Sequence, residues 1–105
     1  MKLREYLNVP EKWADPSLVE ELYHEDYMYL RETEMLSRDD FIIHMKNDFV
    51  DGEFKSTNRK ILYEDEKVVS FEHDEESPRG LRRVTLTSLK KEGKLWRQMM
   101  SFQDL

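Results

Sequence analysis

The feature that most limits what this chain can become is a change of hydrophobic period at Gly52. Before it, apolar residues recur mostly at three- and four-residue spacings; after it, they alternate in runs separated by charged or Gly/Pro turns. Helices in the first half and strands in the second each carry an apolar face that must be buried. Laying the helices over one face of a sheet buries both at once. The expected class is therefore α+β, with a curved antiparallel meander covered by about three helices from the first half.

The local signals give the elements. Leu3, Tyr6 and Leu7 are helically spaced over Lys2–Leu7, and Pro10 then interrupts the backbone ladder. Asp15-Pro16 opens a second helix to about Tyr23, since Asp can accept from free first-turn amides and proline needs no donor there. Tyr27–Glu32 has the period of a strand, with Tyr27, Tyr29 and Arg31 on one face. Ser37-Arg38-Asp39-Asp40 reads as a capping box before a third helix to about Phe49, with Gly52 as a left-handed stop. Strands are expected at Phe54–Tyr63, Lys67–His73, Leu81–Leu89 and Leu95–Phe102. No linker, repeat or low-complexity tract divides the chain, so residues 1–105 read as one domain.

At 105 residues only one modest core can form. Hydrophobic residues make up 38% and include five Tyr, five Phe and two Trp, which sets the chain apart from a disordered one although 38% is charged. The formal charge of -6 opposes nucleic-acid phosphates, so no nucleic-acid partner is expected. Cysteine is absent, which removes disulfides, thiolate nucleophiles and cysteine zinc sites. The longest apolar run is Tyr27-Met28-Tyr29-Leu30, far short of a membrane span, and Met1-Lys2-Leu3-Arg4-Glu5 is not a signal-peptide start. A cytoplasmic protein with no membrane partner is the expectation.

Two segments carry a resemblance. Leu22-Tyr23-His24-Glu25-Asp26-Tyr27 followed by Ser37-Arg38-Asp39-Asp40-Phe41, and Arg83–Arg97 with its Lys91-Glu92-Gly93-Lys94 turn before Trp96, resemble the nuclear-transport-factor-2-like superfamily and its SnoaL-like and DUF4440-like branches. The resemblance implies a cone whose bent sheet and helices enclose a pocket, and often a homodimer through the outer sheet face. It also implies, for isomerase-like members, a carboxylate base on the first strand. Arg31 stands near that position, and an arginine cannot accept the proton. Glu32 is one residue away and faces the other side unless a bulge turns it. The first helix is shorter than the family's usual one.

The remaining candidates come from the faces of the strands. Trp96, Gln98, Met100 and Phe102 share one face of the last strand, and Arg59, Ile61 and Tyr63 share one face of the strand opening the meander. If these faces point inward, Tyr29, Arg31, Arg59, Tyr63, Trp96 and Gln98 form a small-ligand site, with Arg31 or Arg59 as an anion anchor and Tyr29 as hydrogen-bond donor. The alternative is that the aromatics fill a solid core. Tyr29, Arg31 and His73 are the candidates for chemistry. His73 shares a face with Val69 and Phe71 and is either a pocket imidazole or a solvated, core-edge residue.

Glu72, Asp74, Glu75 and Glu76 read as a solvated hairpin tip, and Asp39-Asp40 as helix-start charge. His44 reads as a boundary residue and His24 as structural. No metal-ligand spacing, phosphate-cradling glycine loop or nucleophile elbow occurs, so no metal and no cofactor is expected. Two functions fit: a small-molecule-binding domain of SnoaL-like type, with lyase- or isomerase-type activity on a small apolar or carboxylate-bearing ligand, or a noncatalytic association module. The second would dimerise through Arg83, Thr85, Thr87 and Leu89 or Arg97 and Met99.

Overall fold

The computed structural model describes residues 1–105. Its helices are α1 (Leu3–Leu7), α2 (Pro16–Leu22) and α3 (Arg38–Met45), and its strands are β1 (Tyr23–Arg31), β2 (Glu34–Ser37), β3 (Lys55–Glu64), β4 (Val68–Ser77), β5 (Gly80–Lys91) and β6 (Lys94–Asp104). A 3-10 turn at Pro10–Lys12 follows α1, and a wide π-type turn at Lys46–Val50 continues α3. The class is α+β, as the change of period implies.

The helix starts form as their sequences dictate. The Asp15 carboxylate accepts from the Ser17 and Leu18 amides at 3.0 and 3.4 Å, with Pro16 in the first turn. Ser37 Oγ accepts from the Asp40 amide at 3.2 Å, and the Asp40 carboxylate accepts from the Ser37 amide at 3.3 Å. The end of α3 differs from expectation. Gly52 does not adopt a positive φ; a Cβ there would sit 2.2 Å from the Asn47 carbonyl oxygen and 2.8 Å from that of Asp48. Close backbone approach, and not a left-handed turn, demands the glycine.

The six strands form one sheet in the order β2-β1-β6-β5-β4-β3. The meander β3 to β6 is antiparallel throughout, whereas β1 joins β6 in parallel and β2 folds back on β1 through Glu32, at φ 55°. Strand period alone specifies neither the parallel partner nor so short an edge strand as β2. Bulges bend the sheet: Leu89 pairs with Arg97 and Lys90 with Leu95, leaving Trp96 as an extra residue, and β3 carries two more irregularities around Asn58 and Leu62.

One apolar cluster fills the space between helices and sheet. Tyr23, Tyr27 and Tyr29 from β1 pack around Phe41 of α3, with ring centroids 4.9 to 5.9 Å apart. The short α1 is held by a reciprocal pair: Tyr6 Oη donates to the Trp13 carbonyl and Trp13 Nε1 donates to the Tyr6 carbonyl, both at 3.0 Å. The Trp13 ring then meets Phe49, Phe71 and His73 edge-on.

The acidic run is a solvated tip only at Glu76, which is exposed, and Glu72 is half-buried. β4 extends to Ser77, and Asp74 and Glu75 are each only 5% exposed. Asp74 accepts from Arg83 at 2.9 Å and from Asn58 at 2.8 Å, and Glu75 accepts from Arg82 at 3.2 Å. Each acid is buried because register places an arginine against it: Asp74 lies opposite Arg83 and Glu75 opposite Arg82. Gly52→Ala should lower unfolding stability by about 1–3 kcal/mol, because the new methyl overlaps backbone that cannot rotate away. Urea denaturation checks this, and an unchanged midpoint would show that the Lys46–Val50 turn relaxes freely.

Candidate functional site

Between α3, its π-type turn and the concave face of the sheet lies a partly enclosed cavity of about 50 Å³. Its walls are mainly aromatic and aliphatic: Trp13, Tyr23, Phe41, Met45, Phe49, Phe71, Leu86 and Met100 among them. Its polar members are Tyr29, Arg31, Asp48, His73, Glu75, Arg82 and Gln98. Strand alternation explains the set, since Tyr29 and Arg31 share the inner face of β1, His73 and Glu75 that of β4, and Gln98 and Met100 that of β6.

The charges are paired at the mouth. Arg31 Nη2 stands 3.2 Å from Asp48 Oδ2, and Arg31 Nη1 donates to His44 Nδ1 at 3.1 Å. Arg82 bonds Glu75 through Nε and Glu32 through Nη1, each at 3.2 Å. The hairpin residue Glu32, turned by its positive φ, thus reaches β5. Outside the Arg31–Asp48 pair lies a second, polar cleft of about 350 Å³, which those two residues also line with Glu32, Glu34, His44 and Arg79. The pair is the partition between the two spaces.

Deeper in, Gln98 accepts a short hydrogen bond from the Tyr27 hydroxyl. Tyr29 is 5% exposed and lines the cavity. Burial pushes the Tyr29 hydroxyl well above its ordinary range, so it stays protonated and able to donate. His73 bonds Ser56 Oγ through Nδ1 at 2.8 Å and stacks on Phe71. Burial first, and then the nearby Arg59 charge, lower His73 to about 4, which leaves the ring neutral at pH 7.

Of the residues chosen from sequence, Tyr29, Arg31, His73 and Gln98 come together around this cavity. Arg59, Tyr63 and Trp96 do not. Arg59 lies behind His73, where Nη1 donates to the Ser56 carbonyl at 2.6 Å. Tyr63 is 56% exposed and donates to Asp65, because the β3 bulge beside Ile61 turns it to the outer face. Trp96 is the bulged residue of β6 and stacks against Arg97 and Lys91, with Arg97 Cζ 4.1 Å and Lys91 Nζ 5.2 Å from its ring. Phe102 sits at the rim under Arg82. Sequence reading missed Asp48, Glu75 and Arg82. Their signal was a charge pattern: Glu75 keeps the period-two spacing from Phe71 and His73 and so falls on the same face.

His73 gives a pH dependence with a definite sign. Its native pKa of about 4 lies below the unfolded value of about 6.5, so the unfolded chain binds the extra proton between those limits. Its contribution is fully present above pH 6.5 and is lost as pH falls toward 4, by on the order of 3 kcal/mol. Chemical denaturation at pH 7 and pH 4.5 should show this loss. His73→Phe should flatten that stretch, and an equally steep profile in the variant would remove His73 as its cause.

No family model matches the sequence, and no curated protein matches it significantly. Solved structures do match. An NTF2-like protein of unknown function from Cytophaga hutchinsonii aligns at 12% identity over 96% of this chain and 86% of its own, with a TM-score of 0.72. An uncharacterised Silicibacter pomeroyi protein with a cystatin-like fold aligns at 18% identity over 96% of this chain and 72% of its own, TM-score 0.73. A candidate polyketide cyclase from Sinorhizobium meliloti aligns at 12% identity over 91% and 89%, TM-score 0.66. Aligned over nearly its whole length to NTF2-like and cystatin-like structures, the chain has the nuclear-transport-factor-2-like fold.

Proposed function

We propose that this protein binds a small molecule, as a SnoaL-like domain, in the cavity between α3 and the sheet. The observation that carries the reading is a cavity walled by aromatic rings, lined also by the protonated Tyr29 hydroxyl and by Asp48, whose Oδ2 is buried without a hydrogen bond. Asp48 Oδ2 is costly to leave so, because a buried acceptor without a partner costs about 1–3 kcal/mol. The shared fold of a candidate polyketide cyclase is consistent with this reading.

Size bounds the ligand. A cavity of about 150 Å³ admits benzene, so 50 Å³ takes only a small head group while the mouth stays shut. Displacing the Arg31–Asp48 pair joins the cavity to the outer cleft and makes room for a longer body. Lyase- or isomerase-type proton transfer in this space would fall to the neutral His73 ring as acceptor and Tyr29 as donor, since Arg31 cannot act as base.

Screening small compounds by thermal denaturation tests the reading. A true ligand at about ten times its Kd adds about 1.4 kcal/mol, equivalent to a rise of several degrees for a domain this small. Leu86→Phe, which fills the cavity wall, should abolish that rise; an undiminished rise would place the ligand elsewhere.

A second reading rests on the outer sheet face. Met35 pairs with Leu30, Leu30 with Met99, Met99 with Thr87, Thr87 with Ser70 and Ser70 with Tyr63, making one row across all six strands. Its ends are exposed Met, Leu and Tyr and its middle is short and hydroxylic, a surface that suits isologous sheet-to-sheet contact in a homodimer. Sedimentation at micromolar concentration should give a dimer that Met99→Glu dissociates, whereas a wild-type monomer would end this reading. The pocket and the dimer are compatible, lying on opposite faces.

A further inference from the structure

Resting on the binding reading above, we infer that the cavity takes a neutral head group carrying a hydrogen-bond acceptor and a donor on neighbouring atoms, the pattern of a carboxamide, and rejects carboxylates. The inference starts from charge. Both guanidinium groups of the cavity wall already hold carboxylates: Arg31 holds Asp48, and Arg82 holds Glu75 together with Glu32. In the cavity wall two acids, Asp48 and Glu75, therefore face two arginines, and the charges balance. A ligand carboxylate would bring a third acid into a space where charge is poorly solvated, and it could be paired only by stripping an arginine from Asp48 or Glu75. Glu32 and Arg79 do not change this balance, because both are exposed in the outer cleft, where water weakens their charges.

The polar atoms then give the head group its pattern. Tyr29 offers a protonated hydroxyl. Asp48 Oδ2 is buried without any hydrogen bond, since its 3.2 Å approach to Arg31 Nη2 is an ion pair with poor hydrogen-bond alignment. A hydroxyl donor and an unpaired acceptor thus line the same cavity, one from the sheet and one from the turn after α3. A head group that accepts from Tyr29 and donates to Asp48 satisfies both without adding charge. A carboxylate can meet only the first requirement and repels the second; an ammonium can meet only the second.

Three compounds of one shape and different charge decide the matter: isobutyramide, isobutyrate and isobutylamine, titrated at pH 7 into protein carrying labelled methionine methyls. Met45 and Met100 line the cavity and report entry. The expected result is saturable shifts of both methyls with isobutyramide, and at least tenfold weaker binding of isobutyrate and isobutylamine. Tyr29→Phe should weaken the amide about tenfold. Asp48→Asn removes one of the two cavity acids and frees Arg31, so it should raise isobutyrate affinity to that of the amide or beyond.

Wild-type protein that prefers isobutyrate overturns the inference and restores an arginine anion anchor. A preference for isobutylamine overturns it in favour of a cation site governed by Asp48. An Asp48→Asn protein with unchanged isobutyrate affinity shows that charge pairing does not set the selectivity. If none of the three compounds moves either methyl, the binding reading itself fails and takes this inference with it.

Discussion

The placement of Trp13 is the constraint on which much else depends. A helix as short as α1 is too short to persist alone, and here it is fixed by two opposed hydrogen bonds between Tyr6 and Trp13. Those bonds hold the indole edge-on to Phe49 of the π-type turn and to Phe71 and His73 of β4. One ring thus joins the N-terminal segment, the end of α3 and the centre of the sheet. The cavity exists because these elements are held at their spacing by ring edges without closing completely on one another.

The same arrangement explains why the site has two chemical zones. Deep residues come from strand faces and helix stripes selected for burial, so they are aromatic and apolar. The mouth is built where three connections meet, the β1–β2 hairpin, the Lys46–Val50 turn and the β4–β5 hairpin, and connections carry charge. There Arg31, Asp48, Glu75, Arg82 and Glu32 settle by pairing across elements. Burial makes those pairs consequential, since the Arg31 and Arg82 guanidinium groups already have carboxylate partners within the protein.

The fold was largely legible because its signals are local. Asp15-Pro16, the Ser37–Asp40 box and the period-two runs each depend on neighbours in sequence, and each appears where those neighbours put it. The site was legible only where the alternation is unbroken. Tyr29, Arg31, His73 and Gln98 follow simple parity, whereas Tyr63 and Trp96 sit at bulges, where one extra residue reverses the face. Arg59 lies in an irregular stretch of β3 after Asn58, at φ 51°, which removes it from the wall it was expected to line.

By itself, then, the sequence determined the class of element in each segment, the caps that start the helices, and the alternation that makes a strand two-faced. Those follow from hydrogen bonds and sterics within a few residues. Only the tertiary structure decided that β1 lies parallel to β6, that Asp74 and Glu75 are buried acids and not a solvated tip, and that Arg82 in place of Arg59 faces the cavity. Each of these turns on which strand lies beside which and in what register, and register is set by the packing of the whole core.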